Sequence, residues 1–211
     1  MTINKEALNQ IEKNLEAYPK TKLLIVTKNQ NFDDIDNLIS MGYRLFGENR
    51  VQEAAKKYSN FNNNQYSLHL IGPLQTNKVK QALSLFDTIQ SIDRLKLVHE
   101  IVKQINTSDT THRTRSFFIQ VNIGQEEQKS GVDPKNVIEF YDLCKKNNLK
   151  IEGLMCIPPN DDIPEIYFDK MKKIRDSINT NLKLSMGMSN DYEISLRYDA
   201  NIVRIGSKIF S

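Results

Sequence analysis

Apolar positions follow two alternating rhythms along the chain. Short runs that are continuous or alternate every second residue read as strands, and longer stretches with apolar residues every three or four positions read as helices. The strand pattern occurs at 22–28, 43–47, 67–72, 88–92, 116–123, 151–157, 182–186 and 202–205, eight segments in all. Between them the helical spacing appears at Ile35, Leu38 and Ile39, at Val51, Ala54, Ala55 and Tyr58, at Val98, Ile101, Val102 and Ile105, and at Met171, Ile174 and Ile178. Ahead of the first strand, Ile3, Ala7, Ile11 and Leu15 predict a helix within residues 1–19 that stops at Tyr18-Pro19, because the residue before proline disfavours helical geometry. Asp133-Pro134 supplies an N-cap followed by proline at the first helical position, and Gly42 sits where a left-handed C-terminal cap belongs.

Alternating strands and helices imply parallel strands joined by crossover helices. No composition shift or long linker divides the eight units, so the expectation is one (β/α)8 barrel domain over residues 1–211, with a doubly wound open sheet as the alternative. In both architectures the carboxyl ends of the strands host the ligand. Gly47, Gly72, Gly124, Gly153, Gly187 and Gly206 fall in or just after strands, where small residues let a ligand approach the main chain.

Composition changes the picture little. The 211 residues are 39% hydrophobic and 26% charged with a net charge of +3, a globular balance. No basic block interleaved with aromatics suggests a nucleic-acid partner. Apolar runs are far shorter than the roughly 18 to 20 residues of a membrane span, and the amino terminus lacks the pattern of a signal peptide, so a cytoplasmic protein without a membrane partner is expected. Cys144 and Cys156 read as buried thiols, and the scattered His69, His99 and His112 give no support for a metal site.

Candidate chemistry concentrates near the strand ends. The seventh and eighth strands each end in glycine with serine nearby, as Ser185-Met-Gly-Met-Ser189 and Arg204-Ile-Gly-Ser207. Such turns form either a phosphate cradle from Met188, Ser189, Gly206 and Ser207 or two ordinary serine-capped turns. Arg204 lies inside an apolar strand and requires a buried partner, either a carboxylate or a ligand. Lys28 ends the first strand. Read alone it is a surface lysine starting a loop, whereas desolvation by apolar neighbours would free its amine to attack an aldehyde. Cradle, arginine and lysine together on one barrel rim would suit pyridoxal 5'-phosphate (PLP).

The motifs Thr27-Lys28, Phe46-Gly-Glu-Asn49 with Val51-Gln-Glu53, His69-Leu-Ile-Gly-Pro-Leu-Gln-Thr-Asn-Lys78, Gln90-Ser-Ile-Asp93, Val121-Asn122 with Lys129-Ser-Gly131, Gly153-Leu-Met155, Leu184-Ser-Met-Gly-Met-Ser-Asn-Asp191 and Val203-Arg-Ile-Gly206 closely resemble the PLP homeostasis protein family. Its members are small PLP-binding barrels similar to the N-terminal domain of alanine racemase. The resemblance implies that Lys28 forms the Schiff base with PLP. It implies that Ser189, Gly206 and Ser207, with backbone around Met186, hold the phosphate, that Arg204 faces the pyridine nitrogen, and that Asn49 and His69 line the ring side. Lys129 would sit at the same rim, either taking PLP transiently and steering anions or standing as a solvated loop lysine.

Three features depart from the family: Gln30 stands where a second lysine is common, the chain ends at Phe210-Ser211 without a basic, aromatic tail, and the N-terminal helix is short. The implied function is PLP storage, protection and delivery. No residue is assigned a catalytic role, no robust turnover is expected, and apo PLP-dependent enzymes are the potential recipients. The rival reading is a PLP-dependent amino-acid racemase. An arginine at the pyridine nitrogen and a chain length consumed by one barrel argue against it, and a monomer is expected.

Overall fold

The computed structural model describes residues 3–107, 112–160 and 163–210. Strands β1 (Lys22–Val26), β2 (Leu45–Glu48), β3 (Ser67–Leu70), β4 (Thr88–Ile92), β5 (Ser116–Val121), β6 (Ile151–Cys156), β7 (Lys183–Ser185) and β8 (Ile202–Ile205) pair in sequence order, all parallel. The ring closes where β1 pairs β8, with Leu24 opposite Arg204. The closed barrel is thus the architecture, not the open sheet. Helices α2 (Phe32–Ser40), α3 (Val51–Tyr58), α4 (Val79–Leu85), α5 (Leu95–Thr107), α6 (Val137–Lys146), α7 (Pro164–Ile178) and α8 (Tyr192–Leu196) follow the first seven strands.

The helix ahead of β1, α1, spans Lys5–Glu16, shorter than the 1–19 expected at both ends. Asn4 fixes its start by accepting the Ala7 N–H, and the chain has already turned at Ala17, before Pro19. Leu8 and Ile11 are buried, the Asn4 N–H donates to Ile209 O, and Asn14 donates to the Tyr192 hydroxyl. The helix therefore covers the barrel beside α8 and the segment after β8. Gly42 ends α2 at φ +100°, and Asp133 caps the Pro134–Asn136 turn that leads into α6, both as the sequence indicated.

Two apolar clusters follow from strand alternation. Ile25, Phe46, Leu68, Ile89, Ile119 and their like point outward into the layer shared with the helices. Leu24, Val26, Ile71, Phe118, Met155 and Ile202 form a separate cluster. They come from strands on opposite sides of the ring, so they can meet only inside it. The same inward parity aims Lys28, Asn49, His69, Gln90, Ser185 and Arg204 at the barrel axis, and these polar side chains decide where chemistry can occur.

Candidate functional site

Lys28 follows β1 directly and is exposed. Of the two readings of this lysine, the structure has the surface residue that starts a loop and not the desolvated one: Leu24 and Val26 pack in the barrel beneath it, while Lys28 heads a turn closed by the Gln30 N–H to Thr27 O at 3.0 Å. Asn29 holds a left-handed φ of 63° in that turn. Helix α3 grips the turn on both sides of Lys28. Lys57 Nζ donates to Thr27 O at 2.7 Å, and the Asn29 N–H donates to Glu53 Oε1 at 2.8 Å. Glu53 and Lys57 are themselves paired at 2.8 Å, one helical turn apart.

Beneath the turn, Thr27 Oγ1 donates to Glu48 Oε1 at 2.7 Å and meets the Tyr58 hydroxyl at 2.9 Å, and Lys57 also reaches Glu48 at 2.9 Å. Burial pushes the Glu48 carboxyl up from its ordinary value against the opposing pull of Lys57, and its Oε2 has no hydrogen-bond partner among the described residues.

Across the β8–β1 closure lie the loops after β7 and β8, joined by the Arg204 N–H to Gly187 O at 2.9 Å. Gly187 takes φ +92°, and an added Cβ there would lie 2.2 Å from Ser195 Oγ. The Met188 N–H is bonded to Asp191 Oδ1 at 2.6 Å. The N–H groups of Ser189, Asn190, Ser207 and Lys208 have no acceptor among the described residues. Ser189 is buried and Ser207 exposed at this rim. Unpaired donors converging from two neighbouring loops make a place for an anion.

Arg204 is 3% exposed and forms no ion pair among the described residues. Its Nη2 donates to Cys156 O at 2.7 Å and its Nη1 to Ser185 Oγ at 2.8 Å. Desolvation lowers its pKa from the ordinary arginine value. The chain of bonds continues: Ser185 Oγ reaches Gln90 Oε1 at 2.6 Å, and Gln90 Nε2 reaches His69 Nδ1 at 2.8 Å. A guanidinium can only donate, so Ser185 Oγ accepts from Arg204. The Gln90 amide sets the remaining directions: its Oε1 faces Ser185 and accepts the hydroxyl hydrogen. Gln90 then turns its amide nitrogen to His69 Nδ1, which must accept, and the imidazole carries its proton on Nε2.

Burial lowers the His69 pKa from 6.5 to about 4. In the unfolded chain the ring binds a proton between those values and in the folded chain it does not, so stability falls as pH drops from 6.5 towards 4. The contribution is about 3 kcal/mol at 1.36 kcal/mol per pH unit. Urea midpoints measured across that window should decline more steeply for the native protein than for His69→Gln. Equal slopes would mean that His69 is not held neutral.

Of the residues singled out from sequence, Lys28, Met186, Ser189, Arg204, Gly206 and Ser207 gather around the β8–β1 closure and the adjoining β7. Asn49 follows β2 on the same end, half-buried. His69 is placed differently. It faces a cavity at the amino end of the barrel and touches the carboxyl-end group only through Gln90 and Ser185. Lys129 is tied to Glu126 and donates to Pro158 O at 3.1 Å. Both cysteines are buried. The sequence reading gave no role to Gln90, Ser185, Asp191, Glu53 or Lys57. Polar residues at inward positions of apolar strands were the available signal for the first two.

The sequence matches the family described as alanine racemase, N-terminal domain, over residues 5–211. It is 38% identical over 198 residues to the pyridoxal phosphate homeostasis protein of Aquifex aeolicus, covering 90% of this chain and 86% of that protein. The fold is similar to that of PipY from Synechococcus elongatus, 27% identical with a TM-score of 0.86, covering 98% of this chain and 99% of that one. PipY has also been solved with PLP bound. Alanine racemase of Clostridium difficile shares the fold at a TM-score of 0.71 and 14% identity, covering 98% of this chain and 56% of that one.

Proposed function

The chain belongs to the pyridoxal phosphate homeostasis protein family, within the alanine racemase N-terminal domain group, and from that premise we propose that it binds pyridoxal 5'-phosphate and acts in PLP homeostasis by storing, protecting and delivering the cofactor. The observation that carries this reading is the meeting, at the β8–β1 closure, of an exposed lysine with two loops of unpaired N–H groups above a buried arginine. An aldehyde, a phosphate and a ring nitrogen each find a matching partner there.

The cofactor supplies a reactive aldehyde and, when its ring nitrogen is protonated, an electron sink. Lys28 is the residue that holds the aldehyde covalently and reversibly. Ser189, Gly206 and Ser207, with backbone near Met186, hold the phosphate, and Asn49 lines the ring side. Arg204 faces the ring nitrogen. Having only donors, it cannot take up the position of a carboxylate that would keep that nitrogen protonated. His69 acts from beneath, positioning Arg204 through Gln90 and Ser185.

A carrier without robust turnover is the role that follows, with residues 1–211 as one cofactor-binding barrel domain. The two free cysteines suit a reducing cytoplasm. Among the described residues no helix is long and apolar enough to cross a membrane. Apo PLP-dependent enzymes are the recipients, and the carrier acts as a monomer.

Purified protein given PLP should turn yellow, and borohydride should fix the cofactor on the peptide that contains Lys28, as read by mass spectrometry. A protein that stays colourless with added PLP would sink the reading. Racemization of alanine at enzyme-like rates would overturn the carrier role while leaving the pocket in place.

A further inference from the structure

At the amino end of the barrel, opposite Lys28, a cavity of about 1510 Å³ opens between the loops that enter the strands. Its floor is apolar, formed by Leu45, Phe118 and Ile202. His69 and Thr88, both polar and buried, line it as well. His69 is 93% buried, being 7% exposed, and its Nδ1 is taken by Gln90. No hydrogen bond engages its Nε2 among the described residues, and His69 lines the cavity. With Nδ1 accepting from the Gln90 amide nitrogen, the neutral ring carries its proton on Nε2 and donates there, so whatever binds must offer an acceptor.

The charge around the mouth selects the acceptor's sign. Basic side chains lining the cavity outnumber acidic ones by six to three. Among them Lys183 is neutralised by Glu152 at 3.2 Å, and Arg175 by Asp176 and Asp199. Lys20, Lys22 and Arg44 form no ion pair among the described residues. Lys22 stands on β1 with the inward parity of Leu24; its charge and that of Lys183 act on the His69 ring against the larger, opposite influence of Asp87 and Glu152, of which Glu152 is already paired with Lys183 and Asp87 with Arg113. Thr88 and Ser116 hydroxyls satisfy each other at 3.0 Å, whereas no hydrogen bond engages His69 Nε2 among the described residues.

We propose that this amino-end cavity is a second binding site, for a small organic carboxylate whose carboxylate accepts from His69 Nε2–H beside Lys22 and whose compact apolar body rests on Leu45, Phe118 and Ile202. One neutral donor and one nearby ammonium match a monoanion, and the apolar floor has no use for an inorganic ion. The site stands on its own geometry and does not depend on the cofactor assignment at the other end of the barrel.

Benzoate, benzamide and inorganic phosphate are the probes. The imidazole ¹⁵N and ¹H resonances of His69 are followed by NMR in the PLP-free and the PLP-loaded protein. Benzoate should shift the His69 Nε2 signal saturably in both forms, with benzamide and phosphate at least tenfold weaker. Lys22→Ala should weaken benzoate at least fivefold, and Arg44→Ala provides a second exposed position should the first variant misfold. The proposal is overturned if benzoate leaves His69 unmoved, if phosphate or benzamide binds equally well, if neither variant changes affinity, or if the shifts appear instead at Ser189 and Ser207.

Discussion

Lys28→Ala is expected to abolish borohydride-fixable PLP and to weaken cofactor retention by about a hundredfold, equivalent to about 2.8 kcal/mol. The fold should not notice the change. Lys28 is exposed and has no ion-pair partner among the described residues, and surface substitutions of that kind usually stay within about 0.5 kcal/mol. Two other lysines at this rim are already engaged, and the exposed Lys208 lies with its Nζ over the Tyr192 ring. Lys57 is held by Thr27 O, Glu48 and Glu53, while Lys129 is held by Glu126 and Pro158 O. Residual, non-covalent binding should persist through the loop N–H groups of Ser189 and Ser207. The checks are the visible spectrum, mass spectrometry after reduction, and equilibrium dialysis. Borohydride-fixed PLP on Lys28→Ala at native levels would remove Lys28 from its proposed place.

The clamp around Lys28 gives that variant its clean interpretation. Glu53 and Lys57 hold the peptide groups on either side of the lysine, so the direction of its Cα–Cβ bond is set by α3 and not by the lysine's own contacts. The arrangement suits the proposed holding of an aldehyde by this amine. The amine must point into the mouth when the cofactor arrives and must not be consumed by an internal carboxylate while it is absent. Burying Glu48 and Lys57 one layer down keeps the nearest negative charges occupied.

The barrel was legible from sequence because each strand presents a buried outward face and each helix an amphipathic one. The observed β4 and β8 coincide with the expected segments at 88–92 and 202–205. The seventh strand is shorter than its expected segment, Lys183–Ser185 within 182–186, and the second is shifted, starting two residues later than 43–47 and extending one further to Glu48. The position of Lys28, Ser189 and Arg204 relative to one another followed from strand order alone. What could not be read was side-chain engagement. Arg204 could have met a carboxylate, and instead meets a serine and a carbonyl from strands 19 and 48 residues distant in sequence. The link between Ser185 and Gln90 spans 95 residues, and no local pattern announces it. His69 faces the amino end because it stands low on β3, level with Thr88 at the start of β4, while the motif around it suggested the other mouth.

Gly72→Ala is expected to cost about 3 kcal/mol, the upper end of what inserting a methyl group into a packed site costs. A Cβ on Gly72 would lie 2.2 Å from Asn49 O and 2.8 Å from Asn49 C and Cα. These are backbone atoms and cannot swing aside as a side-chain tip would. Asn49 directly follows β2, and the Ile71 N–H donates to Glu48 O at 2.9 Å just below, so separating the two loops also strains the last rung between β2 and β3. For a domain of this size each kcal/mol moves the melting temperature by about 2 to 4 °C, so a fall of about 10 °C is expected. Gly42→Ala is the control. Its Cβ meets nothing within 4 Å, and only the φ of +100° opposes it, a cost of about 1 to 2 kcal/mol. The two variants should also separate in binding: displacement of Asn49 should weaken PLP in Gly72→Ala, while Gly42, at the opposite end of the barrel, should leave affinity unchanged. A Gly72→Ala protein that melts within 1 °C of the native chain, a shift below about 0.5 kcal/mol, would show that the Asn49 backbone has room to move and would weaken the case that it is fixed for a ligand.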